Sequence, residues 1–228
     1  MTYKNIHKGT FTNRPNRFIA EVTINGKTET CHIKNTGRCH ELLTPGATVY
    51  TNYINNPSRQ TQYDLIAVEK DDTLINIDSH APNIAFGEYL QQHKFHELGS
   101  ITHIKPESKY GNSRFDFHIQ TPTSKTFIEV KGVTLEENKI AMFPDAPTER
   151  GIKHLNELAT CIADGYDAYV IFIIQMKGIT HFTPNYKIHA AFGETLTQVM
   201  DKGVKARAFD CIVTPDKMII DKPIAIHI

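Results

Sequence analysis

Asp116 and, after an interval of twelve residues, Glu129-Val130-Lys131 form the pattern Asp-x12-Glu-x-Lys. Both ends of the pattern lie in segments that read as β-strands, the first running from Arg114 to Gln120. Alternate residues of a strand point to one face. Glu129 and Lys131 therefore project together while Val130 turns into the core, and a hairpin between the two segments brings Asp116 to meet them. Two carboxylates suit a hard divalent cation that takes oxygen ligands, Mg²⁺ or Mn²⁺. An adjacent lysine orients, or helps deprotonate, a metal-bound water beside a phosphodiester. That is the chemistry of a metal-dependent nuclease. Taken alone the spacing is a weak signal, because the three residue types are common and Glu-x-Lys on a strand usually marks a solvated face.

The elements around the pattern must position it. Before about residue 80, short strand-like runs alternate with turns: Arg17 to Ile24, Thr28 to Ile33, Thr48 to Ile54, Asp64 to Glu69 and Thr73 to Ile77. Asn25-Gly26 between the first two is a strong hairpin signal. Such strands in so short a stretch predict a small barrel or sandwich, an oligonucleotide-binding (OB) barrel being one solution. Beyond residue 80 the elements lengthen and alternate. Asn83 to His93 reads as a helix, Pro147 to Ala163 as an amphipathic one, and Ala190 to Lys202 as a third ended by Gly203. Ala168 to Gln175 is almost wholly apolar, as a strand covered on both faces should be, and Val204 to Val213 supplies another. The expectation is two domains, 1–80 barrel-like and 81–228 α/β with a central mixed sheet.

A second group of candidates opens the amphipathic helix. Arg150, Lys153, His154 and Glu157 share its polar side, and Asp145 or Thr148 caps it. A helix start offers free N–H groups and positive potential to an anion such as phosphate; an ordinary solvated face is the plainer reading. In the first domain Arg14, Arg17, Arg38 and Arg59 lie among amides and turn residues, as backbone-contacting residues of nucleic-acid binders do. They also suit the plain decoration of strand ends. Tyr50, Tyr53 and Tyr63 suit base stacking, and packing better.

Composition excludes several alternatives. The 228 residues carry 25 Lys plus Arg against 25 Asp plus Glu, which argues against a histone-like binder and leaves nucleic-acid binding to a local, salt-sensitive patch. No run approaches the roughly 18–20 apolar residues of a membrane span, and the N-terminus lacks the apolar segment of a secretory signal. The four scattered cysteines read as reduced thiols of a cytoplasmic protein. The chain has no zinc-spaced histidine set, nucleophile elbow, P-loop or dinucleotide fingerprint. A glycosidase also uses paired carboxylates, but the chain has no tryptophan for a sugar platform and Lys131 would need a separate role.

Five strings occur in order: Arg14-Pro15-Asn16-Arg17-Phe18, Asn35-Thr36-Gly37-Arg38, Lys109-Tyr110-Gly111-Asn112-Ser113-Arg114-Phe115-Asp116-Phe117, Glu129-Val130-Lys131-Gly132-Val133-Thr134-Leu135, and Phe143-Pro144-Asp145-Ala146-Pro147-Thr148-Glu149-Arg150-Gly151. With these the chain resembles, over its whole length, the sugar fermentation stimulation protein A family. The resemblance implies an N-terminal OB-fold followed by a restriction-endonuclease-like domain of the PD-(D/E)xK type. It also implies sequence-non-specific DNA binding and a stimulatory role in sugar (maltose) metabolism. Asp116 and Glu129 match the metal carboxylates, with the carbonyl of Val130 as a further ligand, Lys131 the catalytic lysine, and Glu88 an upstream acidic position. Arg150 and Lys153 then steady a phosphate. Residues 59 to 61, Arg-Gln-Thr, depart from the family in lacking a second basic residue. Two functions stay open: a Mg²⁺-dependent nuclease acting on DNA or RNA, and a non-catalytic DNA-binding regulator. An exposed sheet edge would also admit a homodimer.

Overall fold

The structure, a computed structural model, describes residues 1–35 and 37–228. Thr36, in the second of the five strings, lies outside the described residues. The first unit contains β1 (Ile6–Asn16), β2 (Ile19–Ile24), β3 (Lys27–Ile33), β4 (Thr48–Tyr53), β5 (Tyr63–Lys70) and β6 (Thr73–Asn76). They run in the order β3-β2-β1-β4-β5-β6, and a parallel pairing of β3 with β5 closes the first five strands into an OB barrel. The Asn25-Gly26 turn adopts positive φ at both residues, 50° and 77°, as a two-residue hairpin turn between right-twisted strands requires. Strand β1 escaped the sequence reading because its burial alternates poorly: Phe11 is its one fully buried side chain. Gly9 in that strand is obligatory, since a Cβ there would stand 2.6 Å from the Val22 side chain and 2.9 Å from a backbone carbonyl.

The second unit comprises α1 (Ala81–Gln91), β7 (His103–Tyr110), β8 (Ser113–Gln120), β9 (Lys125–Val133), β10 (Leu135–Glu137), β11 (Ile140–Phe143), α2 (Glu149–Ala163), β12 (Asp167–Ile174), β13 (His181–Pro184), α3 (Tyr186–Asp201), β14 (Lys205–Thr214) and β15 (Lys217–Ile226). The strands form one mixed sheet in the order β10-β11-β13-β15-β14-β12-β9-β8-β7. At its centre β9, β12 and β14 are parallel, while β8 and β7 continue antiparallel. Helix α1 packs on one face through Ala85, Phe86 and Leu90, against Ile128, Val130 and Ile171. Helices α2 and α3 cover the other through Leu155, Leu158, Phe192 and Leu196, against Phe127, Val170 and Phe172. Both faces of β12 are thereby buried, which its unbroken apolar run requires. Strands β7, β10, β11, β13 and β15 went unread: three are of four residues or fewer, Pro223 with a register shift breaks the period of β15, and Pro106 with the left-handed Glu107 breaks that of β7.

The two units interlock. Residues 1–3, placed with the barrel by a division at residue 80, pack on the α/β sheet instead: Thr2 bridges to Lys217, and the Met1 ammonium donates to the Met218 carbonyl. Between the units, the Gln175 amide donates to the Asn76 carbonyl at 2.9 Å, to Asn76 Oδ1 at 3.0 Å and to the Asp78 carbonyl at 3.2 Å. Asn76 donates in turn to the Tyr3 hydroxyl. A buried polar network satisfied in this way specifies one arrangement, because any other strands its members without partners. It also touches the candidate site. Gln175 lies over Gly132, where a Cβ would meet its Oε1 at 2.5 Å, so the residue after Lys131 must be glycine. No helix among the described residues is long and apolar enough to cross a membrane.

Candidate active site

The predicted hairpin is present, pairing Phe117 with Ile128 through Gln120 with Lys125, and its ladder ends just short of Asp116 and Glu129. On the other side of β8 the ladder to β7 skips the Glu107–Asp116 pair, where Glu107 adopts a left-handed φ of 49°. At this break the strand turns over. Phe115 packs on the α2 side of the sheet and Phe117 on the α1 side, although they are two residues apart. The break frees the Asp116 carboxylate to take the place of a backbone partner. Its Oδ2 accepts the Val130 N–H at 2.7 Å, and its Oδ1 accepts from the Asn83 amide at 2.6 Å. In an extended strand the N–H and C=O of one residue point to the same side, so the Val130 carbonyl faces the same opening.

Glu129 and Lys131 share the opposite side of β9 from Val130, as strand alternation predicts. Lys131 Nζ donates to Glu129 Oε1 at 2.6 Å, and His154 Nδ1 is hydrogen-bonded to the same oxygen. The Arg150 Nε–H donates to His154 Nε2 at 3.4 Å, which leaves the imidazole proton on Nδ1, directed at Glu129. Thr148 starts α2 by accepting the Gly151 N–H at 3.0 Å, so the cap sets the angle from which His154 enters. Glu129 is 4% exposed and His154 5%. The second Glu129 oxygen, Oε2, is buried and has no hydrogen-bond partner.

The two carboxylates titrate in opposite directions. Burial alone would raise Glu129, but the hydrogen bond from His154 and the charge of Lys131 outweigh it and hold its carboxyl below the usual range. Burial and the negative charge of Glu129 push Asp116 up to about 6, against the Val130 N–H, Lys131 and Asn83. The pair therefore carries one firmly ionised carboxylate, one reluctant one, and a buried oxygen without a donor. A cation would satisfy all three conditions, and the donors are the hard oxygens that Mg²⁺ or Mn²⁺ prefers. Among the described residues no cluster of three or more His, Cys, Asp or Glu side chains forms a cation cage. Asp116, Glu129 and the Val130 carbonyl would be completed by water, which Mg²⁺ commonly retains.

Other expected residues fare differently. Glu88 is not part of this cluster: it pairs with the Met1 ammonium at 2.6 Å, and Asn83 of the same helix contacts Asp116 instead. The Arg14 guanidinium is spent within its own unit, donating to the carbonyls of Arg17, Asn35, Gly37 and Arg38, and is not a free phosphate ligand. Arg59 is paired with buried Asp64 for the same structural purpose. Arg17 and Arg38 are exposed, Arg17 lying over the Phe18 ring at 4.6 Å. Arg150 and Lys153 are exposed near the start of α2, and Lys153 reaches the Asn112 carbonyl at 3.3 Å. Tyr53 and Tyr63 pack edge-on with His7, and Tyr50 donates to Glu69. One site residue, Asn83, was not singled out from sequence, and another, His154, was singled out for a different role. Asn83 carried no signal beyond lying in a helix. His154 stood among the candidates of the Glu149-Arg150-Gly151-x-Lys153-His154 stretch, on a face read as phosphate-binding or solvated, and not as a partner of Glu129.

Fold and site together define a two-domain protein: an OB barrel joined to a mixed-sheet α/β domain with a buried carboxylate–lysine–histidine cluster where two strands part. Family models described as "Sugar fermentation stimulation protein RE domain" and "SfsA N-terminal OB domain" match residues 80–217 and 13–77. The chain belongs to the sugar fermentation stimulation protein (SfsA) family. Among its relatives is a sugar fermentation stimulation protein homolog of Desulfitobacterium hafniense, 56% identical over 218 residues that cover 96% of this chain and 94% of the relative. Another, from Ruminiclostridium cellulolyticum, is 52% identical over the full length of both. The solved structure of Pyrococcus furiosus SfsA in complex with Ca²⁺ superimposes with a TM-score of 0.91 at 29% identity, covering 100% of this chain and 98% of that one.

Proposed function

We propose that the chain is a divalent-metal-dependent nuclease that hydrolyses phosphodiesters of DNA or RNA. The observation that carries this reading is the buried, unpartnered Oε2 of Glu129 beside a second carboxylate that burial and Glu129 hold near neutrality. Leaving such an oxygen without a donor is costly unless a ligand satisfies it. The Ca²⁺ bound by the P. furiosus relative supports the same reading, because calcium too takes oxygen ligands.

In this reading Asp116, Glu129 and the Val130 carbonyl hold Mg²⁺ or Mn²⁺. The ion supplies Lewis-acid polarisation of the phosphate and a lowered pKa for its water. The side chains do the rest. Lys131 uses one N–H on Glu129 and has others to hold a water or a phosphate oxygen. His154 fixes the rotamer of Glu129 from behind, and Arg150 fixes His154. Exposed Lys153 and the outer face of Arg150 meet the strand's phosphates, while Arg17 and Arg38 on the barrel steer it by charge. The test is incubation of purified protein with single- and double-stranded DNA and RNA in Mg²⁺, Mn²⁺ or EDTA. Cleavage is expected only with metal, and not in Asp116→Ala or Lys131→Ala. Cleavage that persists in both variants contradicts the reading.

A further inference from the structure

The outer strands carry a concentration of positive charge that the candidate site does not use. Register places His103, Gln120 and Lys125 side by side across β7, β8 and β9, and places Lys105, His118 and Phe127 in the next row. Cross-strand neighbours share a face. The His118 ring lies 4.7 Å from that of Phe127, which belongs to the core beneath α2. The face is therefore the one that also bears Glu129 and Lys131. Burial and the charges of Lys125, Lys105 and His103 all hold His118 below its ordinary range, which places the four side chains within one electrostatic neighbourhood.

Among the described residues none of the four takes part in an ion pair. The nearest acidic residue along β7, Glu107, sits at the strand break and pairs with Arg114 at 3.6 Å. A lysine on an edge strand commonly serves to deter pairing with another sheet. That accounts for Lys105 on β7, but not for His118 on β8 or Lys125 on β9, which are not on the edge.

We infer that this face, His103, Lys105, His118 and Lys125, is a track for the phosphate backbone of a nucleic-acid strand whose scissile bond lies at Glu129 and Lys131. The inference rests on the nuclease reading for its direction, and on charge complementarity for its occupant. Lys125 is four residues before Glu129 on the same strand and face, about 13 Å away at roughly 3.3 Å per residue. Between them on that face Phe127 is buried under the rings of Tyr110 and Tyr166, so a strand held on the track passes around this cover and needs more than about four phosphates, at roughly 3.4 Å each, to reach the cut. The track therefore grips the chain a few nucleotides from the cut, and a substrate too short to span the gap gains nothing from it.

The test separates binding from cleavage. Affinity for a fluorescein-labelled oligodeoxynucleotide is measured in EDTA over a range of salt, for the full-length protein and for the variants K105E/K125E and K105R/K125R. The expected result is at least tenfold weaker binding by K105E/K125E, with a salt slope reduced by about 1.4–1.8 for two lost phosphate contacts. K105R/K125R should bind like the wild type, which also shows that the positions tolerate substitution. Hydrolysis of bis(p-nitrophenyl) phosphate in Mn²⁺ should be unchanged in both variants. Equal affinity of wild type and K105E/K125E overturns the track. Absence of binding by the wild type overturns the track and the nucleic-acid reading together. Binding that depends on the two lysines, without hydrolysis by the wild type, upholds the track and removes the nuclease reading alone.

Discussion

Each of the two units surrounds an aspartate with protein, and they treat it in opposite ways. In the barrel, Asp64 is enclosed by Arg59, by Lys34 at 3.2 Å and by His32 at 3.6 Å. Burial would raise its carboxyl, and the arginine and lysine more than offset this, so it stays below the usual range. In the α/β unit, Asp116 receives only an amide and a backbone N–H, and it faces Glu129; its carboxyl rises to about 6. The barrel has supplied its buried charge with partners from its own sequence. The α/β unit has stopped short, and Glu129 Oε2 is buried with no donor of its own. Charge that is neutralised internally serves the fold, whereas charge left incomplete at a strand break awaits something from outside.

The largest effect should come from breaking the complete set. Asp64→Ala leaves the half-buried Arg59 without its anion and Lys34 with Asp78 alone, and should cost about 3 kcal/mol in urea unfolding, the lower end for a broken buried pair, with or without divalent metal. Equal loss of stability from Asp116→Ala would erase the distinction between the two units.

Next comes pH. Asp116 is raised in the folded chain from the ordinary 3.8 to about 6, so between those values the native state binds more protons than the unfolded one. Its contribution to stability is therefore greatest at low pH, falls as pH rises through that window, and is least above about 6. Asp64, being depressed, contributes above the ordinary carboxylate range and loses its contribution as pH falls through its folded value. Asp116→Asn should thus stabilise the metal-free protein above pH about 6 by ~2 kcal/mol, seen as a higher Tm, and leave it little changed near pH 4. Removing the His154 support has a comparable size but a different readout. His154→Ala should lower metal affinity or cleavage about 10–100-fold, as loss of an outer partner of a metal ligand does, and Arg150→Ala should do less. The smallest effect is expected for Arg38→Ala on the exposed barrel loop: a few-fold weaker nucleic-acid binding that vanishes at high salt. An unfolded Arg38→Ala protein would show that this arginine, like Arg14, serves the fold.

These residues also show what a sequence can disclose. The Asp116, Glu129 and Lys131 relation was legible because strand, turn and strand have fixed periods, and a two-residue step on β9 allows one geometry only. The barrel and the apolar β12 were legible for the same reason. Glu88 misled because a helix segment alone does not say which side faces the sheet. Asn83 and Glu88 are five residues apart and so stand about 140° apart around the axis; the packing of Ala85, Phe86 and Leu90 decides which one reaches Asp116. The arginines misled differently. A guanidinium serves a phosphate and a ring of carbonyls equally well, and only the folded positions of Arg17, Asn35 and Gly37 assign Arg14 to the second. His154 was read as facing phosphate or solvent because α2 has charged neighbours on that side, whereas the break between β8 and β9 leaves Glu129 open to it.

The proposal that a divalent cation completes the anionic pair of Asp116 and Glu129 has one direct test. Wild type and Glu129→Gln are titrated calorimetrically with Mn²⁺ and Ca²⁺ above pH 6, and thermal unfolding is followed on the same samples. The wild type should show saturable binding and a Tm that rises with metal concentration, as a ligand selective for the native state requires, and Glu129→Gln should lose both. No binding by the wild type, or equal binding by the two proteins, would contradict the proposal.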